Sequence, residues 1–180
     1  MKQLYSGLIF LIPLISGYAQ SEDDSEKHRI TLALGHTNVS QGVSNAETKW
    51  LFLASWSLDY DYWFSDKWAI GLHTDFITQE FEVEANLNEG EILKRSSPIA
   101  PAAMGLYKPT KHSTFLLGAG AEFAKEENLF LNRLGYEWGT EIDETWEVGF
   151  SLNYDFRWNA YDSYTIGFGI SHNFRRKRNK

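Results

Sequence analysis

Apolar and polar residues alternate along most of the chain with a period of two. From Trp146 to Trp158 the even positions are Trp146, Val148, Phe150, Leu152, Tyr154, Phe156 and Trp158, and the odd ones are Glu147, Gly149, Ser151, Asn153, Asp155 and Arg157. From Trp50 to Phe64 the same split sets Trp50, Phe52, Ala54, Trp56, Leu58, Tyr60, Tyr62 and Phe64 against Ser55, Ser57, Asp59 and Asp61. Successive side chains of a strand point to opposite faces, whereas a helical period would scatter both sets around the axis. Strands are therefore predicted at 28–37, 49–64, 68–81, 98–107, 113–123, 129–140, 145–158 and 163–174. The fourth alternates poorly. It carries Pro98 and Pro101, which lack a ladder donor and predict a bulge or a rim position.

The two faces differ in kind. One is large, apolar and aromatic; the other is small, polar or charged. Segments of a dozen residues are long for a soluble sandwich, whose strands run to about five or six, and they meet the roughly 9–11 residues that a tilted strand needs to cross a bilayer. The pattern predicts an all-β fold: an antiparallel, transmembrane, up-and-down β-barrel of about eight strands, polar inside and apolar outside. A soluble lipocalin-like barrel would reverse the faces. Residues 65–67, 108–112 and 141–144 read as tight polar turns, 38–48 and 82–97 as longer polar loops, and 124–128 and 159–162 as short ones. With both mature termini in the periplasm, the tight turns face the periplasm and the second set faces outside. Tyr60, Tyr62, Trp68, Trp138 and Trp146 then fall near one membrane border, and Trp50, Phe130 and Trp158 near the other.

Composition changes this picture in three places. The chain has 180 residues, enough for one domain, and a formal charge of −7. The absence of cysteine excludes a disulfide scaffold, a thiolate metal site, a cysteine nucleophile and an acylated lipoprotein cysteine. A mean hydropathy of −0.38 would suit a soluble protein, but it averages two unlike faces. Residues 1–19 read as a cleaved signal peptide, with Lys2 before a short apolar run and Gly17 and Ala19 before the cut. The domain order is then signal peptide 1–19, acidic leader 20–27, barrel 28–174 and basic periplasmic tail 175–180. Export argues against reading that tail as a nucleic-acid contact.

The interior-facing charges that carry chemistry are Glu122, Arg133, Asp155 and Arg157. The expected register sets Arg133 opposite Glu122 and diagonal to Asp155. The lumen of an eight-stranded barrel is only wide enough for side chains to fill it, so these charges are expected to pair as a structural plug. His73 and Asp75 face inward two residues apart and read as an interior hydrogen-bonded pair, too few ligands for a metal. His36 and the Asp162-Ser163 pair fall near the outer rim. No phosphate loop, dinucleotide fingerprint or nucleophile elbow is present, and neither a catalytic group, a metal nor a cofactor is expected.

The last strand, Gly167-Phe168-Gly169-Ile170-Ser171-His172-Asn173-Phe174, resembles the C-terminal assembly signal of outer-membrane proteins. Gly169 and Phe174 match its glycine and closing aromatic; His172 stands where a hydrophobic residue is usual, and Arg175 to Lys180 extend past the usual stop. The mature chain as a whole resembles the small eight-stranded outer-membrane barrels of the OmpA/OmpX/OmpW-like group. That resemblance implies outer-membrane lipids and lipopolysaccharide as surroundings, the barrel-assembly machinery as a partner in biogenesis, and a monomer. It points to a non-enzymatic structural or surface-interaction role. Loops 38–48 and 82–97 would meet a partner not identified by sequence, the second through Glu82, Glu84, Glu89, Glu91, Lys94 and Arg95. Two other roles occur on this scaffold. One is an OmpW-like channel for small hydrophobic molecules; the other is a lipid A-modifying enzyme, whose His-x-Ser-Asn run this sequence lacks.

Overall fold

A computed structural model describes residues 26–44, 47–84 and 92–176. Ten strands cover most of them: β1 (Glu26–Ser44), β2 (Glu47–Trp63), β3 (Trp68–Ile77), β4 (Glu80–Glu84), β5 (Ile92–Ser96), β6 (Ile99–Thr110), β7 (Ser113–Glu122), β8 (Leu129–Glu141), β9 (Trp146–Arg157) and β10 (Asp162–Arg176). All pairings are antiparallel, and β1 pairs with β10 from Glu26↔Arg176 to Val39↔Ser163, which closes the sheet. β3 with β4, and β5 with β6, are interrupted staves, so the barrel has eight walls in up-and-down order. The expected signal peptide, most of the acidic leader, Glu89 and Glu91 of the second loop and the end of the basic tail lie outside the described residues.

The surface is inverted relative to a water-soluble barrel. Leu34, Phe52 and Leu117 are 72%, 71% and 67% exposed, while Asp61, Glu122 and Arg133 are fully buried. Only a surrounding hydrocarbon phase makes that arrangement favourable, so the chain is a transmembrane β-barrel. Aromatic pairs gather towards both ends of the wall. Trp68–Tyr107 (4.6 Å between ring centroids) and Trp146–His172 (4.5 Å) lie at the end that carries the termini; Trp50–Tyr164 (5.6 Å) and Phe130–Trp158 (6.0 Å) lie at the distal end. Trp63 points into the lumen instead, with the Arg29 guanidinium 5.7 Å and the Lys108 ammonium 5.6 Å from its ring.

Three expectations are corrected. Segment 38–48 is mostly paired strand: β1 runs to Ser44 and β2 resumes at Glu47, with a register shift between Val39 and Gly42. Segment 82–97 is likewise partly a β4–β5 hairpin, with Glu80↔Ser96 through Glu84↔Ile92. The poorly alternating fourth stave, β6, turns Ala100, Ala102, Met104 and Leu106 inward, where they pack with Leu116 and Leu131. Its alternation is weak because both of its faces are apolar. Ser97, at a positive φ of 44°, and the following Pro98 shift the parity by one residue. The ladder sums move accordingly, from Phe76↔Ile99 to Glu80↔Ser96. Arg95 is thereby turned into the barrel.

The barrel lumen as candidate functional site

The lumen holds two clusters of ionisable side chains. The distal one is a chain of alternating sign. Arg133 on β8 lies directly opposite Asp155 on β9 and grips it with Nε and Nη2 at 2.6 and 2.8 Å; Nη2 also reaches Asp75 on β3 at 2.7 Å. Arg157 extends the chain, donating to Asp155 at 3.3 Å, to Ser163 Oγ at 2.7 Å and to Glu122. Glu122 accepts from Arg95 as well, and Arg95 Nη1 ends on the Glu127 carbonyl at 2.7 Å. Asp75, Arg133, Asp155, Arg157, Glu122 and Arg95 thus alternate, with carboxylates and guanidiniums in equal number. Charges taken out of water cost several kcal/mol each unless paired and hydrogen-bonded, and here each carboxylate touches at least one guanidinium.

An apolar cluster lies over this chain at the distal end: Val39, Leu53, Ile77, Phe81, Val83, Leu129, Ala160 and Tyr161. Tyr161 joins the two layers. Its hydroxyl donates to Glu122 at 2.8 Å, its ring lies 4.5 Å from the Arg157 guanidinium, and Phe81 packs edge-on against it.

The cluster nearer the termini is built differently. Arg29 on β1 donates to Asp61 on β2 at 2.8 Å and to Glu137 on β8 at 2.7 Å. His73 on β3 meets Asp61 through Nε2 at 2.9 Å, while its Nδ1 has Asp59 Oδ1 at 3.9 Å. Glu147 on β9 is also buried, and it lines with Arg29, Asp59 and Glu137 a cavity of about 30 Å³. Four carboxylates therefore share one guanidinium and one imidazole. Gly71 makes room for the group, since a Cβ there would collide with Asp61 Oδ1. Asp59, His73 and Glu137 also present ligand atoms within 4.8 Å of one another, the set among the described residues able to hold a metal ion.

The four charges singled out from sequence, Glu122, Arg133, Asp155 and Arg157, all belong to the distal chain. Their register differs from expectation. Arg133 faces Asp155 and Gly118, not Glu122, whose ladder partner is Leu129. His73 pairs with Asp61 rather than with Asp75, which turns to Arg133. Arg95, read as part of a surface loop, is fully buried. His36 is exposed on the outer face whereas Ser163 points inward onto Arg157, so the wall separates them. Gly169 pairs with Ala33 and Gly149, and Phe174 with His28, at the start of the closing seam. Arg29 was legible from parity alone, since Ile30, Leu32 and Leu34 face out; Arg95 was not, because the slip at Ser97 falls between it and its strand.

No protein-family profile matches the chain, and no curated protein does. Among solved structures the fold is similar to that of Ail, the attachment invasion locus protein of Yersinia pestis, with a TM-score of 0.52 at 15% identity over 84% of this chain and 100% of that one. Ail in complex with the heparin analogue sucrose octasulfate gives 0.51 at the same identity and coverage. Neisserial surface protein A aligns at 0.48 and 11% identity, covering 82% and 97% of the two chains. The protein has the fold of the small eight-stranded outer-membrane barrels.

Proposed function

We propose that this chain is an integral outer-membrane barrel with a structural and surface-interaction role, without enzymatic activity, and closed to the passage of solutes. The observation that carries the reading is the distal half of the lumen, where a charge-balanced chain of six side chains lies under an apolar cluster tied to it by Tyr161. Ions crossing it would have to break buried pairs whose loss costs about 3–5 kcal/mol each. The surface of interaction is the pair of distal hairpins. They are stitched together by Gly42↔Val83 pairing and by Thr48 Oγ1 donating to Glu84 at 2.7 Å. Glu80, Glu82 and Lys94 point outward from them. That surface would stand among lipopolysaccharide head groups and their cations, or meet a protein, with both termini on the periplasmic side. The fold supports the address, and the closing strand with Gly169 and Phe174 fits assembly by the barrel-assembly machinery.

Reconstitution into planar bilayers and solute-loaded liposomes tests the reading. The expected result is no unitary current and no release of small solutes beyond empty vesicles. Robust flux of ions or of small hydrophobic molecules would overturn it in favour of a channel.

A further inference from the structure

We propose that the lumen cluster nearer the termini is a divalent transition-metal site of the zinc class, with His73, Asp59 and Glu137 as ligands and Asp61 as the positioning residue. Four features of the cluster carry this inference.

The first is the histidine. Its side chain is almost wholly buried, and its Nε2 is engaged by the Asp61 carboxylate at 2.9 Å. Metal-binding imidazoles are held in this way, one nitrogen donating to a carboxylate and the other turned to the ion. The second nitrogen, Nδ1, faces Asp59 Oδ1 at 3.9 Å, too far for a hydrogen bond. Two metal–ligand bonds of about 2.1 Å span such a gap.

The second is orientation of the carboxylates. Asp59 is fixed by the Thr74 amide at 3.3 Å and the Ser57 hydroxyl at 3.2 Å, and one oxygen of Glu137 by Arg29 at 2.7 Å. Ligand atoms lie within 4.8 Å of one another, so small side-chain rotations bring them to the roughly 3.4 Å separation of a tetrahedral site with bonds of about 2.1 Å.

The third is space. The adjoining cavity of about 30 Å³ is lined by Asp59 and Glu137, and a single water needs roughly 10–15 Å³. Three protein ligands and one open position is the arrangement of zinc sites that keep an exchangeable ligand. A second cavity of about 100 Å³ at the termini-bearing end shares Arg29 and Glu147 with the first and adds Asp66, Glu141 and Glu144 together with Lys27 and Lys108.

The fourth is charge. Asp59, Asp61, Glu137 and Glu147 share Arg29 and His73, and the distal chain's Asp75 and Arg133, which neutralise each other, are the neighbouring charges on the Asp59 side. A divalent cation offsets this excess, and an imidazole donor with two carboxylates selects zinc-like ions over magnesium or calcium.

The test uses the full mature barrel, folded in detergent and stripped with chelator, titrated with zinc alone and with cobalt(II) alone. Calorimetry should give saturable binding of a single zinc per chain with a rise in unfolding temperature. Zinc-edge X-ray absorption on the unsubstituted protein should show one imidazole per metal. Asp59→Asn and Glu137→Gln should abolish the zinc-dependent rise while keeping heat-modifiable gel migration. Asp61→Asn should weaken zinc by about 10- to 100-fold, and His112→Ala, in the turn between β6 and β7, should leave it unchanged. Absence of saturable binding overturns the site, as does a spectrum with no imidazole or several. Zinc responses unchanged in Asp59→Asn and Glu137→Gln also overturn it. Failure of these tests leaves the closed-barrel reading standing, since that rests on the distal chain.

Discussion

The two halves of the lumen use the same side chains to opposite effect. In the distal half three carboxylates alternate with three guanidiniums, and the longest interaction in the chain is 3.3 Å. In the half nearer the termini four carboxylates share Arg29 and His73 beside a cavity. The distal arrangement is balanced in itself: each of its six charges touches at least one of opposite sign. The other has negative charge in surplus and room beside it. The count of charges in a barrel interior therefore says less than their order along the axis.

Breaking the distal chain at its centre should give the largest effect. Arg133→Met leaves Asp75 buried without a guanidinium and Asp155 with only the 3.3 Å contact of Arg157, and equilibrium unfolding from lipid or detergent should show a loss of about 3–5 kcal/mol. The register of the chain sharpens the comparison next. A double-mutant cycle on Arg133 and Asp155 should give a coupling of about 0.5–3 kcal/mol, and a cycle on Arg133 and Glu122, which make no direct contact, should give distinctly less.

The smallest effect lies outside the lumen altogether, in the 142–145 turn. There Asp143 accepts from the Thr145 amide at 2.7 Å and the Trp146 amide at 2.8 Å, hydrogen bonds that hold its carboxyl below the usual range. Its folded pKa lies under its unfolded one. The stabilisation is therefore present above the unfolded pKa and fades as pH falls through the folded value. Asp143→Ala should slightly flatten the acid limb of a stability–pH profile, and an unchanged profile would remove this turn from the account.

Much of this was legible in parity. The alternation in Trp146–Trp158 and Trp50–Phe64 assigned the lipid face and the lumen face of β9 and β2, and therefore placed Asp155, Arg157, Asp59 and Asp61 inside. Pairing across the lumen was less accessible. Register depends on turn geometry that the pattern does not record: on β7 a shift of four residues sets Gly118 instead of Glu122 opposite Arg133, and on β9 Asp155 moves from diagonal to directly opposite. β6 was obscured because its inner face, from Ala100 to Leu106, is as apolar as its outer one. Arg95 was hidden by a single residue, Ser97, whose left-handed backbone changes which side of the wall its neighbours face. The cluster around His73 escaped because its members come one or two at a time from β1, β2, β3, β8 and β9, and only closure of the barrel brings them together.

The difference between the halves is tested most directly by removing one carboxylate charge from each. Asp155→Asn and Glu147→Gln are to be compared by equilibrium unfolding in chelator-treated buffer. Asp155 takes three guanidinium hydrogen bonds, so its neutralisation should cost about 3 kcal/mol or more. Glu147 belongs to the surplus, and its neutralisation should cost nothing or raise stability by relieving like-charge repulsion. Equal losses in the two variants would contradict the account.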